Sequence, residues 1–221
     1  QGSIPLGMGF VLDKDEAKKI INQDSKYNEV IFDYLNGSDL NNQPDLKATR
    51  SIINFFDWSE DKAKDYPICY EILYNKVKPE RQRWKKDKNG NELVGVYKLR
   101  EPMPTKWWIY CEKRPTLYKT ISGLDNCLVV ARTSKTVGFA LVNTTQVLNA
   151  NLTIIANSDY QHFTQLQSSI HNIWAWKYTT KLKSDLIYQP ADIYETFPFI
   201  RNESPSFSLR KIGQMYYSFR E

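Results

Sequence analysis

Ser168 and His171 stand three positions apart, one turn on a helix, a spacing at which an imidazole could take the proton of a serine hydroxyl. No acid is placed to orient that histidine, and a helical serine ordinarily bonds its own backbone, so the pair reads as scaffold. Asp33, Asp39 and Asp45 could gather a magnesium ion, which would make the chain a stand-alone nuclease. The nuclease pattern begins at Pro44-Asp45, but no Glu-x-Lys follows in a strand context. A phosphate-cradling Gly-x4-Gly-Lys loop, a glycine-rich S-adenosylmethionine loop and an Asn/Asp-Pro-Pro-aromatic turn are all missing from the sequence. Two histidines and three scattered cysteines, with no Cys-x-x-Cys, leave no expected metal site. These 221 residues are expected to need no cofactor and to carry no catalysis.

The chemistry that the side chains favour is contact with a polyanion. A net charge of +5 conceals a segregation: residues 1–75 are net −5, residues 76–135 net +9 and residues 136–221 net +1. Basic side chains neutralise phosphates and release counterions, and arginine can read guanine edges in the major groove. The expected DNA contacts are Arg81, Arg83, Lys85, Lys86, Lys106, Arg114, Lys119, Arg132 and Lys135. Trp84 and Trp107 could stack on a displaced base, which would suit a module for RNA or single strands. Trp107 and Trp108 are adjacent, so in a strand they face opposite sides and at most one would be core.

Those residues need elements to hold them. Asp13 or Asp15 can cap a helix whose buried face is Ala17, Ile20 and Ile21. Residues 30–35 and 51–56 read as strands, the first meeting a tight turn at Asn36-Gly37. Pro67 opens a helix that Pro79 ends. Residues 93–99, 107–111, 127–132, 137–142 and 152–155 read as five short strands. Phe163, Leu166, Ile170, Ile173, Trp174 and Lys177 fall on one face of a helix of about four turns, with Trp174 in the core. Ser206 can cap a last helix bearing Leu209, Ile212, Tyr216 and Phe219. The pattern predicts an α+β fold, a mostly antiparallel twisted sheet with flanking helices. It shows no internal boundary, giving one domain over 1–205 and a helix over 206–221. No apolar run is long enough to span a bilayer, no signal segment is visible, and the odd cysteine count suits a reducing cytoplasm. The start at Gln1, without Met, suggests a piece of a longer polypeptide.

Several blocks in order carry a resemblance. Gly7-Met8-Gly9-Phe10-Val11-Leu12, Tyr34-Leu35-Asn36-Gly37 with Asp39, Ile53-Asn54-Phe55, Tyr66-Pro67 and Val77-Lys78-Pro79-Glu80-Arg81 form its first half. Trp107-Trp108-Ile109-Tyr110, Leu166-Gln167-Ser168-Ser169 with His171 and Trp174, and Thr196-Phe197-Pro198-Phe199 form the second. Over almost its whole length the chain resembles the target recognition domains of large adenine-specific DNA methyltransferases. These occur in fused restriction-modification enzymes of types IIG and IIL and in related phage-defence systems. Ile200 stands where such domains often have a second proline. The resemblance implies a prokaryotic, cytoplasmic protein that selects a sequence in double-stranded DNA. It also implies an upstream methyltransferase domain on the same polypeptide, which would use S-adenosylmethionine, with magnesium if a nuclease domain is present. Ser168, His171, Trp174, Phe197, Pro198 and Phe199 are expected to serve as scaffold or as interdomain docking.

Overall fold

A computed structural model describes residues 1–200 and 207–220. In chain order the first half holds β1 (Val11–Asp13), α1 (Lys14–Gln23), β2 (Ile31–Leu35), α2 (Gly37–Asn42), β3 (Arg50–Ile53), α3 (Glu60–Lys64), α4 (Pro67–Lys76), α5 (Lys78–Arg81), β4 (Trp84–Lys86) and β5 (Glu92–Tyr97). The second holds α6 (Pro115–Ile121), β6 (Asn126–Ala131), β7 (Thr133–Ser134), β8 (Phe139–Asn143), β9 (Val147–Leu148), β10 (Leu152–Ile155), α7 (Tyr160–Leu166), α8 (Ser169–Tyr178), β11 (Thr180–Leu182), β12 (Asp185–Ile187), α9 (Pro190–Ile193) and α10 (Phe207–Arg220). The strand pairs β1·β3, β2·β3, β4·β5, β6·β8, β6·β10, β7·β12 and β11·β12 are all antiparallel, so the α+β expectation holds. No helix among the described residues is long and apolar enough to cross a membrane. Ser206, the expected cap, and the expected boundary at 205–206 lie outside the described residues.

The chain forms two compact units where its composition shows no boundary. One comprises residues 3–34 and 49–113; the other comprises 1–2, 35–48 and 114–221. Neither is contiguous, which is why no linker marks them in the sequence.

In the 3–34/49–113 unit, β3 lies between β1 and β2, with Ile52 opposite both Val11 and Phe32. α1 turns Ala17 and Ile20 inward, and α4 buries Cys69 and Leu73. Pro79 does not simply end α4; it sits in the first turn of α5, where a missing N–H is harmless. The expected strand at 107–111 is an irregular turn, and both tryptophans, Ile109 and Tyr110 are buried. Alternation therefore does not apply, and the polar groups of this stretch find other partners. Trp108 Nε1 donates to the Trp58 carbonyl at 2.9 Å, and the Tyr110 hydroxyl to that of Ile53 at 2.8 Å.

In the other unit β6 is central, flanked by β10 and β8. Its apolar run divides by strand period. Leu128 and Val130 enter a core with Phe139, Leu141, Phe163 and Leu166, whereas Cys127 and Val129 enter a second core with Leu35, Ile121, Ala140 and Leu152. Asn36-Gly37, read as a tight turn, instead starts α2. The Asn36 side chain accepts from the N–H groups of Ser38 and Asp39, and Asp39 reaches back to the Asn36 N–H at 3.0 Å. The long helix over 163–177 is broken in two. Ser168 caps α8 by accepting from the His171 N–H at 3.1 Å, and its own hydroxyl donates to the Gln165 carbonyl at 2.7 Å. Trp174 is correspondingly half-buried, its indole against Tyr178 and Phe197, not in the centre of the core.

Candidate nucleic-acid interface

Arg81 heads the expected DNA contacts and is not on the surface: it is 1% exposed. Its guanidinium donates to the carbonyls of Pro5, Leu6 (3.1 Å), Trp107 (3.2 Å) and Ile109 (2.6 Å), and its Cζ lies 5.0 Å from the centroid of the Phe10 ring. Burial depresses its pKa to about 10, still cationic at neutral pH. This arginine is a structural staple. It satisfies the Trp107 and Ile109 carbonyls of the irregular 107–111 stretch, which a neighbouring strand would otherwise take. Trp107 is likewise buried, against Tyr70 and Tyr74, so it offers no face to a base.

Arg83, Lys85 and Lys86 lie two to five residues beyond Arg81 and have the opposite fate. They enter a two-stranded ribbon, β4·β5, in which every residue of β5 but Tyr97 is exposed. Among the described residues none of Arg83, Lys85, Lys86 or Lys88 forms an ion pair, although Lys86 is the register partner of Glu92. Two devices stiffen the ribbon. At its base Trp84 stacks on Tyr97 with centroids 4.8 Å apart and planes 8° from parallel, which covers one face of Trp84. At its tip the Asp87 carboxylate accepts from the N–H groups of Asn91 (2.9 Å) and Asn89 (2.8 Å) and from the Asn91 amide, bonds that hold its carboxyl below the usual range. Lys106, also in this unit, is exposed.

The second unit holds the remaining expected contacts. Arg114 sits at the start of α6, its Nε 3.4 Å from the Gly2 carbonyl; Lys119 is exposed later in α6. Arg132 and Lys135 are exposed on either side of β7. Lys135 borders an open cleft of about 520 Å³ whose walls combine the polar groups of Asn41, Asn42, Ser134, Thr136 and Asp185 with Leu40, Leu46 and Ala140. Ser134 Oγ donates to Asn41 Oδ1 at 3.2 Å. None of these groups was singled out from the sequence, because α2, β7 and β12 meet only after folding. Lys177, Lys181 and Lys183 add further cations that were not among the expected contacts. All three are exposed; Lys181 Nζ is 5.7 Å from the Trp176 ring, and Lys183 turns the β11–β12 hairpin at a φ of 57°. The run Lys177-x3-Lys181-x-Lys183 was the available signal, diluted by the near-neutral segment around it.

The motif block 168–199 packs inside this unit. His171 is fully buried, its Nε2 3.1 Å from the Tyr188 hydroxyl, and burial lowers its pKa to about 4. With Ser168 committed as a helix cap and this imidazole held neutral, the two side chains do not form a nucleophile and its base. Phe197 packs edge-on to His171 at 4.8 Å, Phe199 stacks on His162 at 4.4 Å, and Pro198 between them is exposed.

The carboxylates of the nuclease alternative are engaged elsewhere: Asp33 with Lys14, Asp39 in the α2 capping box, and Asp45 with Lys47 at 3.6 Å. Among the described residues no three His, Cys, Asp or Glu side chains are grouped so as to hold a metal ion.

The fold is similar to that of the type IIL restriction-modification enzyme MmeI, solved in complex with DNA. The TM-score is 0.67 at 15% sequence identity, over 99% of this chain and 26% of that one. The chain thus spans about a quarter of that enzyme's length. No curated protein matches. Residues 2–201 match the family described as MmeI, target recognition domain. Because that match takes in nearly every residue from Gly2 to the end of the Phe197-Pro198-Phe199 block, the chain belongs to the MmeI target recognition domain family.

Proposed function

We propose that this chain reads sequence in double-stranded DNA for a restriction-modification enzyme, and that methylation of adenine, with cleavage where a nuclease accompanies it, is performed by domains outside these residues. The methyltransferase would lie upstream and bind S-adenosylmethionine; a nuclease would add magnesium. Family membership over residues 2–201 carries the reading. The side chains agree with it: Arg83, Lys85, Lys86, Arg132 and Lys135 stand in solvent without carboxylate partners among the described residues, as groups that meet phosphates must. Such contacts fix the register of the protein on the duplex, while groups aimed at base edges supply the selectivity.

Binding of the chain to a duplex, followed as a function of salt, tests the idea. A log–log slope of several units is expected, since each neutralised phosphate contributes about 0.9. Replacing Arg83, Lys85 and Lys86 by alanine should lower that slope by about 2 to 3. Absence of binding at low salt, or tighter binding to single strands than to duplex, would sink it.

A further inference from the structure

The β4·β5 ribbon has a feature that phosphate contact leaves unexplained. Its exposed surface is apolar as well as basic: Val94 is 81% exposed, Val96 48% and Leu93 40%. For the two valines a break in register adds to the exposure that the isolated ribbon gives every residue of β5 before Tyr97. Lys85 pairs with Leu93 and Trp84 with Tyr97, so Val94, Gly95 and Val96 bulge from β5 with no partners on β4. Gly95 makes the bulge at a φ of 89°, where side-chain-bearing residues rarely go. A Cβ there would meet nothing within 4 Å, so the demand is conformational. An isolated hairpin without a core is marginal in water. This one is nonetheless fixed by the Trp84–Tyr97 stack and the Asp87 turn while it holds valines in solvent.

We infer that this ribbon enters the major groove and that the Val94–Val96 bulge reads the C5-methyl group of a thymine. The inference rests on the DNA-reading function proposed above and names the element and one of the base groups it recognises. A two-stranded ribbon fits the roughly 12 Å width of the major groove, and a six-residue strand of about 20 Å can cross its floor. Cations at Arg83, Lys85, Lys86 and Lys88, all on β4 and the turns that flank it, suit a phosphate wall along that edge and argue for a polyanion, not an apolar protein surface. On the floor of that groove the thymine methyl is the apolar group among donors and acceptors, so valines find a complementary surface there.

The test begins with duplexes that the 221-residue chain selects from a random pool. Each thymine of the selected site is then replaced by uracil, which removes only the methyl. One position should bind roughly three- to five-fold more weakly, the value of one buried methyl group. Val94→Ala or Val96→Ala should erase that difference and leave the salt slope unchanged. Lys85→Ala with Lys86→Ala should lower the slope and keep the uracil penalty. Melting curves should match the parent chain, because these side chains are exposed. A salt-dependent duplex complex with no uracil-sensitive thymine, or a penalty that survives in both valine variants, overturns the ribbon assignment and leaves DNA reading intact. Failure of the chain to bind any duplex at low salt removes both. The uracil series on the unaltered chain needs no variant to fold.

Discussion

Arg81 and Arg83 show how little a residue's type decides about its work. Two positions apart in one basic stretch, the first fills a buried cage of carbonyls and the second stands in solvent. Arg81→Met removes every donor to the Pro5, Leu6, Trp107 and Ile109 carbonyls. Unsatisfied buried acceptors of that kind cost about 1–3 kcal/mol each before relaxation, so a loss of about 3–5 kcal/mol in unfolding free energy is expected by urea titration. Arg83→Ala should change stability by less than about 0.5 kcal/mol and act on duplex affinity alone. His171 supplies a second residue-scale prediction. Its folded pKa of about 4 lies below the unfolded value near 6.5, so the unfolded chain takes up the proton first. Stability contributed by the neutral buried ring is present above about pH 6.5 and is lost as pH falls toward 4. Between pH 7 and pH 5 this site should remove about 2 kcal/mol, a difference that shrinks in His171→Gln even if the variant is weaker at both pH values. Equal pH dependence in the two proteins would refute the assignment.

At the level of elements, the cap at Ser168 and the small residue Gly213 fix the helical layer of the second unit. A Cβ on Gly213 would press on the Tyr160 carbonyl and the Thr164 hydroxyl, and that hydroxyl already donates to the Leu209 carbonyl at 2.7 Å. α10 therefore lies backbone-close to α7. Gly213→Ala, favourable for an isolated helix, should here lower unfolding free energy by about 1–3 kcal/mol because packed backbone cannot yield as a side-chain tip can. Ser168→Ala should cost about 1 kcal/mol through loss of the α8 cap. Thermal or urea unfolding distinguishes both from wild type. These same features mark the limit of what the sequence could disclose. Strands such as β6 and β10 were legible because their short apolar runs are rich in β-branched residues and flanked by polar ones. The break at Gln167-Ser168 was not, since the apolar residues continue at helical spacing across it and only the Ser168 bond to the His171 N–H separates two helices. The stretch 107–111 imitated a strand by composition, although the carbonyls of Trp107 and Ile109 are met by the Arg81 side chain and not by a neighbouring strand. In the candidate interface, the positive charge was legible residue by residue, whereas the cleft of Asn41, Asn42, Lys135 and Asp185 depends on contacts between segments about 50 to 140 residues apart.

The whole molecule sets the last constraint, because each compact unit is assembled from separated segments. Residues 114–221 supply most of one unit, yet its second core includes Leu35 and Ala48 from the 35–48 segment. That segment is also tied into the unit by hydrogen bonds: the Asn149 N–H donates to the Leu35 carbonyl at 2.9 Å, and the Gly37 N–H to the Asn151 side-chain Oδ1 at 3.0 Å. Burial of Leu35 alone is worth about 1.5–3 kcal/mol, against a total of roughly 5–15 kcal/mol for a typical domain. Removing the segment would also open Ile121, Val129 and Leu152 to water beside unpaired carbonyl and amide groups. A fragment of residues 114–221 should therefore show no cooperative urea transition and should bind a hydrophobic dye, the behaviour of a collapsed chain without fixed packing. Residues 35–48 joined to 114–221 through a flexible linker should recover a single transition, since the missing side chains, cap and strand bonds return together. A cooperative transition in 114–221 alone would show that the interleaved segment is dispensable, and the two units would then be separable at one cut.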